Sequence, residues 1–323
     1  MPVLRRSPEK ELRELKVLCP HDGSEMSVVR RASTVPCGTC GRSYPFDRGI
    51  LRLCEADDDF YEGAYKNRIA YFPKSEKWHD VWPLWIINSG YPWVVRGLVP
   101  AGQTVLDIGC AGGVEYFGRR YRMIGADLSG SSLRLAAESY ELLLQADLAR
   151  NIPVPCGAVD AVVSSFVWEH IPPDAKTDLL RECRRVLRPG GILIFLYDVE
   201  NRNPLFRWMK KRNEALFLEQ FIRKDGHYGY QTAEGNDRLF LAGGFRIVKE
   251  EYFERTFLQS PSVYGKLREW GGTAGWIGSI GSSLQKAPLY YAYAGLIRIV
   301  DSTVGRLLPK EWGRFAIAVC ERT

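Results

Sequence analysis

Between residues 103 and 198, short apolar runs alternate with stretches of helical periodicity. Apolar runs of about four to eight residues bounded by turn residues predict buried strands, here at 104–108, 122–126, 142–145, 158–164 and 191–197. The stretch 177–187 has Leu179, Leu180, Cys183, Val186 and Leu187 at helical spacing, and the Arg-Pro-Gly-Gly of 188–191 ends that helix. Strands alternating with helices predict an α/β fold with a parallel sheet, completed by two strands at 245–253 and 314–320.

The first 54 residues follow another pattern, with short strand-like pieces at 16–18, 27–29, 43–46 and 49–53. The acidic run 55–59 predicts a linker. A segment from 60 to 93 predicts a half-buried helical flank or lid, and its aromatic residues include Tyr61, Tyr65, Tyr71, Phe72, Trp78, Trp82 and Trp85. We therefore expect a small β-rich domain at 1–56, a helical flank at 57–100 and the α/β domain at 101–323.

Composition and charge narrow the classes of protein. The 323 residues are 46% hydrophobic and 25% charged, which is typical of a globular chain and excludes a disordered or fibrous one. The net charge of +6 lies in 200–323, with 19 Lys and Arg against 13 Asp and Glu, whereas residues 1–60 hold 10 of each. A nucleic-acid-binding N-terminal module would be basic, so nucleic acid is not the expected partner. The charged start and the lack of an apolar run of about 18 residues predict a cytosolic protein.

A glycine-rich turn with a following series of acids carries the candidate chemistry. Residues 105–113 read Val-Leu-Asp-Ile-Gly-Cys-Ala-Gly-Gly, and the turn comprises Gly109, Cys110, Ala111 and Gly112. Glycines let the backbone approach a ligand closely, and Asp107 can accept from a ligand cation or hydroxyl. Asp127, about 20 residues on, ends the next predicted strand, where Rossmann-type sites bind ribose hydroxyls. Asp147 follows the third strand, where an adenine amino group would need an acceptor.

With these motifs the chain resembles a class I S-adenosylmethionine-dependent methyltransferase. The matching pieces are 105–113, 125–129, 145–148, 160–171 and 179–195, in the order and spacing of that family. The resemblance implies a Rossmann-like seven-stranded sheet and S-adenosyl-L-methionine as cofactor. It places cofactor binding on Asp107, Gly109, Cys110, Ala111, Gly112, Asp127, Leu128, Asp147, Leu148 and Ser165, with His170 near the cofactor. Such turns also bind NAD, but the third glycine of that register is absent.

A cysteine cluster near the start indicates a structural zinc site. Cys37 and Cys40 form one Cys-x-x-Cys turn, while the other half has Cys19 followed by Asp22 where a second cysteine would fall. The segment is similar to the small zinc-ribbon-type domains that precede some methyltransferase cores. Either Asp22 or His21 could complete a four-ligand set, and a metal-free relic held by its strands is the alternative.

Two insertions around the strand at 245–253, at about 200–230 and 255–311, would cap the acceptor site of such a fold. Their basic and aromatic character predicts an anionic or apolar acceptor, such as a phosphorylated sugar or a lipid-linked glycan. The alternative is that the basic residues only solvate helix faces. Tyr290, Tyr291 and Tyr293 could touch a membrane surface.

For a general base, His227 is the first candidate, with Tyr228, His79 and His170 behind it. The favoured function is methylation of a small molecule or glycan, at oxygen. An RNA methyltransferase is the first alternative, because a zinc ribbon also precedes such a core. A non-catalytic cofactor-binding or activator protein is the second.

Overall fold

The computed structural model of the chain describes residues 15–29, 32–54, 68–71, 73–286 and 289–323. Its strands are β1 (Leu15–Leu18), β2 (Glu25–Val28), β3 (Thr34–Pro36), β4 (Ser43–Asp47), β5 (Ile50–Arg52), β6 (Thr104–Ile108), β7 (Arg122–Asp127), β8 (Leu142–Gln145), β9 (Val159–Ser165), β10 (Leu187–Asp198), β11 (Phe245–Phe253) and β12 (Phe315–Arg322). The predicted linker at 55–59, as well as Tyr61, Tyr65 and Phe72, lies outside the described residues.

The α-helices in the described residues are α1 (Trp78–Val81), α2 (Tyr91–Leu98), α3 (Glu115–Arg120), α4 (Gly130–Ala136), α5 (Pro173–Val186), α6 (Pro204–Arg212), α7 (Glu214–Leu218), α8 (Ala233–Ala242), α9 (Pro261–Leu267), α10 (Gly272–Ser283) and α11 (Leu289–Ser302). Short 3-10 turns include Trp82–Trp85, Trp168–His170 and Arg268–Trp270. None of these helices is long and apolar enough to cross a membrane, a finding that extends to the described part of the chain alone.

The main sheet has the order β11-β12-β10-β9-β6-β7-β8-β5-β4-β3. Strands β6 to β10 are mutually parallel, while β12 is antiparallel to both β10 and β11. The predicted Rossmann-like α/β fold is confirmed, and β6, β8 and β11 have the predicted bounds. Because the parallel strands run the same way, their carboxyl ends meet at one edge of the sheet, where a ligand site is expected.

Three N-terminal strands, β5, β4 and β3, extend this sheet, whereas β1 and β2 form a separate two-stranded sheet. β5 lies parallel to β8, with Ile50 opposite Leu143. Val17 and Met26 of the β1–β2 hairpin belong to the same buried cluster as Leu106 of β6. The sheet therefore has ten strands in the described residues, three more than the seven that the resemblance implied.

Several element bounds differ from the sequence prediction for local reasons. β2 starts two residues early because its register with β1 pairs Glu25 with Leu18. α5 begins at Pro173, four residues before the predicted start, since proline is well tolerated in the first turn of a helix. In the predicted half-buried flank, Trp78 and Trp82 are instead exposed, while Tyr91 of α2 is fully buried.

The two insertions around β11 pack against each other. Side chains of α6, α7, the turn after α7, α9, the 3-10 turn Arg268–Trp270 and α10 form a small core of their own, made of Phe206, Met209, Phe217, Phe221, Val263, Leu267, Trp270 and Ala274. This helical unit lies beside the carboxyl ends of the central strands, because α9 supplies Ser262 and Lys266 to the cavity there. The insertions thus cover the position expected for an acceptor site.

Candidate active site

A cavity of about 770 Å³ opens at the carboxyl ends of the parallel strands. One end is lined by residues that follow β6, β7 and β8, among them Gly109, Asp127 and Asp147. The other end is lined by residues that follow β9 and β10 and by α9, among them His170 and Asp198. The first end holds most of the residues predicted to bind the cofactor, and the second contacts the insertions predicted to cap the acceptor.

The turn after β6 can be built only around a glycine. Gly109 has φ +62°, and a Cβ there would lie 2.2 Å from Cγ2 of Val167. Its N–H, at 2.8 Å, and that of Cys110, at 3.3 Å, both donate to the carbonyl of Ala126. This arrangement brings bare backbone to the cavity wall, which is the close approach that the sequence predicts.

Asp127, at the end of β7, holds this turn in place. Its Oδ2 accepts from the N–H of Ala111 at 2.8 Å, and its Oδ1 accepts from the N–H of Ser129 at 2.9 Å. Ala111 has φ +44°, so the hydrogen bond stabilises a backbone conformation that alanine disfavours. The Asp127 carboxylate is therefore fixed at the cavity rim.

Asp107 lies deeper, below the turn. It is 4% exposed, and its Oδ2 accepts from the hydroxyl of Tyr140 at 2.6 Å. Burial raises the pKa of Asp107 to about 7, although the Tyr140 hydrogen bond opposes that shift. A cationic ligand group in the cavity would favour the ionised form.

The remaining predicted cofactor residues divide into two groups. Asp147, Leu148, Leu128 and Ser165 line the cavity with the residues above, whereas Gly112 is buried and does not line it. The Oδ1 of Asp147 accepts from the N–H of Ala149 at 3.1 Å. Asp147 is thus held at the wall, beyond Asp127 along the sheet.

At the acceptor end, three buried side chains converge. Ligand atoms of Glu169, His170 and His227 lie within 4.8 Å of one another. His170 Nδ1 donates to the carbonyl of Gly226 at 2.9 Å, which leaves the lone pair on Nε2 in this tautomer. His227 Nδ1 is buried without a hydrogen-bond partner among the described residues, and burial lowers the pKa of His227 to about 4. Neutral histidines and a carboxyl group can accept a proton from a substrate or bind a divalent cation.

Glu169 and Asp198 form a buried carboxyl pair. Burial raises the pKa of Glu169 well above its usual value, and it raises that of Asp198 as well. Both carboxyl oxygens of Glu169 and the Oδ1 of Asp198 are buried without a hydrogen-bond partner among the described residues, so burial favours the protonated form of these acids. Fully buried Lys176 lies nearby, with Nζ 3.9 Å from the centre of the Trp168 ring, and burial lowers the pKa of Lys176 to about 7.

The two cations that line this end of the cavity, Arg314 and Lys266, are engaged by carboxylates. Arg314 Nη1 donates to Glu254 at 3.1 Å, and Arg314 Nε lies 3.8 Å from Asp198. Lys266 pairs with Asp225. Sequence reasoning missed these residues as well as Glu169. Glu169 could have been found from the sequence, because it directly precedes the candidate base His170. Lys266 and Arg314 could not, because each lies more than 80 residues after His170 in the chain.

Two of the predicted bases lie elsewhere. Tyr228 is 61% exposed and His79 is also exposed, and neither is among the residues that line the cavity. The backbone turns at Gly226 so that His227 faces inward while its neighbour faces solvent. Of the four proposed bases, His227 and His170 are the two at the wall.

The structure brings together the four residues of the cysteine cluster that were predicted as metal ligands. Ligand atoms of Cys19, Asp22, Cys37 and Cys40 lie within 4.8 Å of one another, while His21 is exposed and outside this group. Two thiolates bound at about 2.3 Å to one tetrahedral ion lie about 3.8 Å apart, and the Sγ atoms of Cys19 and Cys40 are separated by 3.7 Å. A hydrogen bond from the N–H of Cys40 lowers the pKa of Cys37 to about 7, which favours the thiolate.

Comparison with known proteins agrees with the geometry of the cofactor end. A family model described as a methyltransferase domain matches residues 106–195. The ubiquinone biosynthesis O-methyltransferase of Pseudomonas paraeruginosa is 32% identical over 138 residues, which are 39% of this chain and 54% of that protein. The carboxy-S-adenosyl-L-methionine synthase of the same organism is 27% identical over 218 residues, 60% of this chain and 81% of that protein.

The chain thus spans about half the length of the O-methyltransferases it matches. Among solved structures, a cyclopropane synthase from Mycobacterium tuberculosis is similar with a TM-score of 0.47 and 18% identity, over 82% of this chain and 94% of that one. The family match covers Asp107, the glycine turn that begins at Gly109, and the two later acids Asp127 and Asp147. Residues 106–195 therefore belong to a class I S-adenosylmethionine-dependent methyltransferase domain.

Proposed function

We propose that this protein transfers the methyl group of S-adenosyl-L-methionine to an oxygen atom of a small molecule. The observation that carries the proposal is the single cavity with two unlike ends. One end has the glycine turn and the acids Asp107, Asp127 and Asp147, and the other has the neutral bases His170 and His227. A methyl donor and an acceptor held in such a cavity would meet without solvent between them.

The residues at the first end fit the cofactor. A Cβ on Gly109 would clash with Val167, so glycine lets the turn lie against Val167 while both residues line the cavity. Asp127 would hold the ribose hydroxyls through its fixed carboxylate, and Asp107, once ionised, would supply negative charge for the amino group of the methionine part. When bound, the cofactor supplies an activated methyl group on a sulfonium.

Residues at the second end then prepare the acceptor. His227 is neutral at pH 7 and can take the proton that a hydroxyl loses as it attacks the methyl group. The hydrogen bond from His170 to the carbonyl of Gly226 fixes the imidazole ring of His170 next to that of His227. Phe166 and Phe315, whose ring centres are 5.2 Å apart, are the aromatic part of the wall and help to exclude water.

Relatives support an oxygen acceptor, because several of them are named as O-methyltransferases of ubiquinone biosynthesis. We further propose that the acceptor is a glycan or a lipid-linked molecule and that the protein is cytoplasmic. We also propose that the chain divides into three parts, with boundaries at residues 56 and 100. We also propose a structural zinc ion on Cys19, Asp22, Cys37 and Cys40. The acceptor end does not favour RNA as the substrate, because its two cations already pair with carboxylates and are not available for phosphate groups.

The proposal is tested in two steps. Isothermal titration with S-adenosylhomocysteine, the reaction product, measures the cofactor end, and transfer of a labelled methyl group to a panel of hydroxylated compounds measures the acceptor end. We expect binding in the micromolar range and label in an ether product. Failure of wild-type protein to bind either cofactor form would refute the proposal, and label appearing only in amines would refute the choice of oxygen.

A further inference from the structure

The polarity of α11 is inverted with respect to solvent. Its two charged residues, Arg298 and Asp301, are buried, whereas Leu289, Leu296 and Ile299 are about half exposed. Surface helices of globular proteins normally bury the apolar face and expose the charges. The outer face of α11 is therefore apolar, as is typical of a surface that is in contact with another molecule.

The buried charges explain how α11 is attached. Arg298 Nε donates to the carbonyl of Trp85 at 3.1 Å, and its guanidinium carbon lies 4.6 Å from the ring centre of Phe253. Asp301 accepts from the N–H of Glu254 at 2.9 and 3.0 Å. Polar contacts thus fasten the inner face, so the apolar side chains outside are not needed to hold the helix in place.

α10 presents the same kind of outer face. Its inner face is made of small residues, since a Cβ on Gly278 would lie 2.4 Å from the N of Arg268 and one on Gly281 would lie 2.3 Å from Cβ of Tyr264. Ile277 and Ile280 are exposed on the other side. We define the α10–α11 face as the exposed apolar side chains of both helices, namely Trp276, Ile277, Ile280, Leu289, Tyr290, Tyr291, Leu296 and Ile299.

Charge is almost absent from this surface and abundant beside it. Residues 271–305 contain three charged residues, and Lys286 is the exposed one. Beside this surface, α6 exposes Arg207, Lys210, Lys211 and Arg212 within six residues that hold no acid. Trp208 of α6 stacks on Trp270 at 6.3 Å, directly before α10, which brings the cationic helix next to the apolar face.

We propose that the α10–α11 face docks on an anionic bilayer surface, with the α6 cations on the lipid headgroups. Exposed Trp, Tyr and aliphatic side chains beside a polybasic segment match the two layers of such a surface, the acyl boundary and the negative headgroups. A second copy of this chain matches it less well, because a twofold pairing of the face would bring like-charged helices together. The bilayer supplies both an apolar and an anionic partner.

Docking would also define the acceptor, a step that rests on the proposed function. α9 lies between the α10–α11 face and the cavity, since it packs against α10 through Tyr264 and lines the cavity with Ser262 and Lys266. A bilayer on that face would lie beside the acceptor end. The acceptor class that fits is an amphiphile whose polar head, carrying a hydroxyl, enters the cavity while its apolar part stays in the lipid.

The test is flotation of the full chain with vesicles of phosphatidylcholine alone and with added phosphatidylglycerol, at low and high salt. We expect binding to the anionic vesicles and a reduction of about tenfold or more for the double variant Ile277→Ser/Ile280→Ser, which removes two apolar side chains. Lys210→Gln/Lys211→Gln should weaken binding about fivefold per charge removed. Leu241→Ser is the control, because Leu241 is a similarly exposed apolar residue outside the α10–α11 face. It lies on α8, which packs against the main sheet through Phe240.

Three results would overturn docking: no binding to anionic vesicles at low salt, equal binding of the double variant, or light scattering that shows a dimer which Ile277→Ser/Ile280→Ser converts to a monomer. The third would assign the face to a second copy. Titration with S-adenosylhomocysteine, which reads the distant cofactor end, shows that each variant is folded. Flotation without methyl transfer would refute the proposed function alone, and transfer without flotation would refute docking alone.

Discussion

Replacing Gly109 with alanine tests the central claim about the cofactor end, that bare backbone is required at the turn after β6. Two costs add in the structure. Alanine at φ +62° costs about 1–2 kcal/mol, and its Cβ at 2.2 Å from Val167 Cγ2 forces a repacking worth about 1–3 kcal/mol. We expect Gly109→Ala to lower the free energy of unfolding by about 2–5 kcal/mol and to weaken S-adenosylhomocysteine binding by about tenfold or more.

Two further variants separate the two costs. Gly102 also has a left-handed φ, +82°, but a Cβ there meets nothing within 4 Å, so Gly102→Ala should cost about 1–2 kcal/mol and leave cofactor affinity unchanged. Val167→Ala removes both methyl groups that clash. In the double variant Gly109→Ala/Val167→Ala, a coupling energy of about 1–3 kcal/mol should therefore appear as partial recovery of stability.

The assay is urea unfolding followed by intrinsic fluorescence, with titration calorimetry of each variant at the same pH. If Gly109→Ala costs no more than Gly102→Ala, the contact with Val167 is not as described. If stability falls while cofactor affinity is retained, the turn is structural and the cofactor lies elsewhere. Either outcome would refute the reasoning that places the ligand against this turn.

Four further variants test the remaining parts of the site. Asp127→Asn should weaken S-adenosylhomocysteine about tenfold, by loss of charge-assisted hydrogen bonds; unchanged calorimetric affinity would contradict its role. His227→Ala should lower the rate of methyl transfer about 100-fold with cofactor affinity nearly intact, and equal turnover would remove His227 as the base. Cys37→Ser should abolish zinc binding, as measured by elemental analysis. Wild type and the control Cys54→Ser, whose cysteine is outside the cluster, should each hold one equivalent of zinc. Absence of zinc from untreated wild-type protein would refute the site. Because burial lowers the pKa of Lys176 to about 7, the unfolded chain between about pH 7 and pH 10 binds a proton that the folded chain has released. Stability should therefore rise with pH across that window, and Lys176→Met should remove the rise; a wild-type unfolding curve independent of pH there would contradict it.

The cofactor end could be predicted from sequence because its residues are local to their strands. Gly109, Asp127 and Asp147 each follow a predicted strand directly, and parallel strands bring their carboxyl ends to one edge by construction. The prediction needed only the strand order, which the resemblance implied. Gly112, which was also predicted to bind the cofactor, is buried and does not line the cavity, and spacing alone could not show which residues of the turn do.

The acceptor end could not be predicted in the same way, since its residues depend on how the insertions fold back. His227 and Tyr228 are neighbours, and although the sequence favours His227 as a base, only the turn at Gly226 decides which one faces the cavity. Arg314 reaches the wall because β12 lies between β10 and β11, more than 100 residues from Glu169 in the chain. The pairing of β5 with β8 is likewise invisible in a three-residue strand.

The positive charge of the C-terminal part shows how location changes the meaning of a composition. From sequence, an excess of cations in the cap predicts an anionic acceptor in the cavity. In the structure, Arg314 and Lys266, the cations that line the acceptor end, are both engaged by carboxylates, while the cations of α6 are exposed. Since an exposed cation next to an apolar face can contact only what lies outside the protein, the charge excess bears on the proposed docking surface more than on the proposed acceptor.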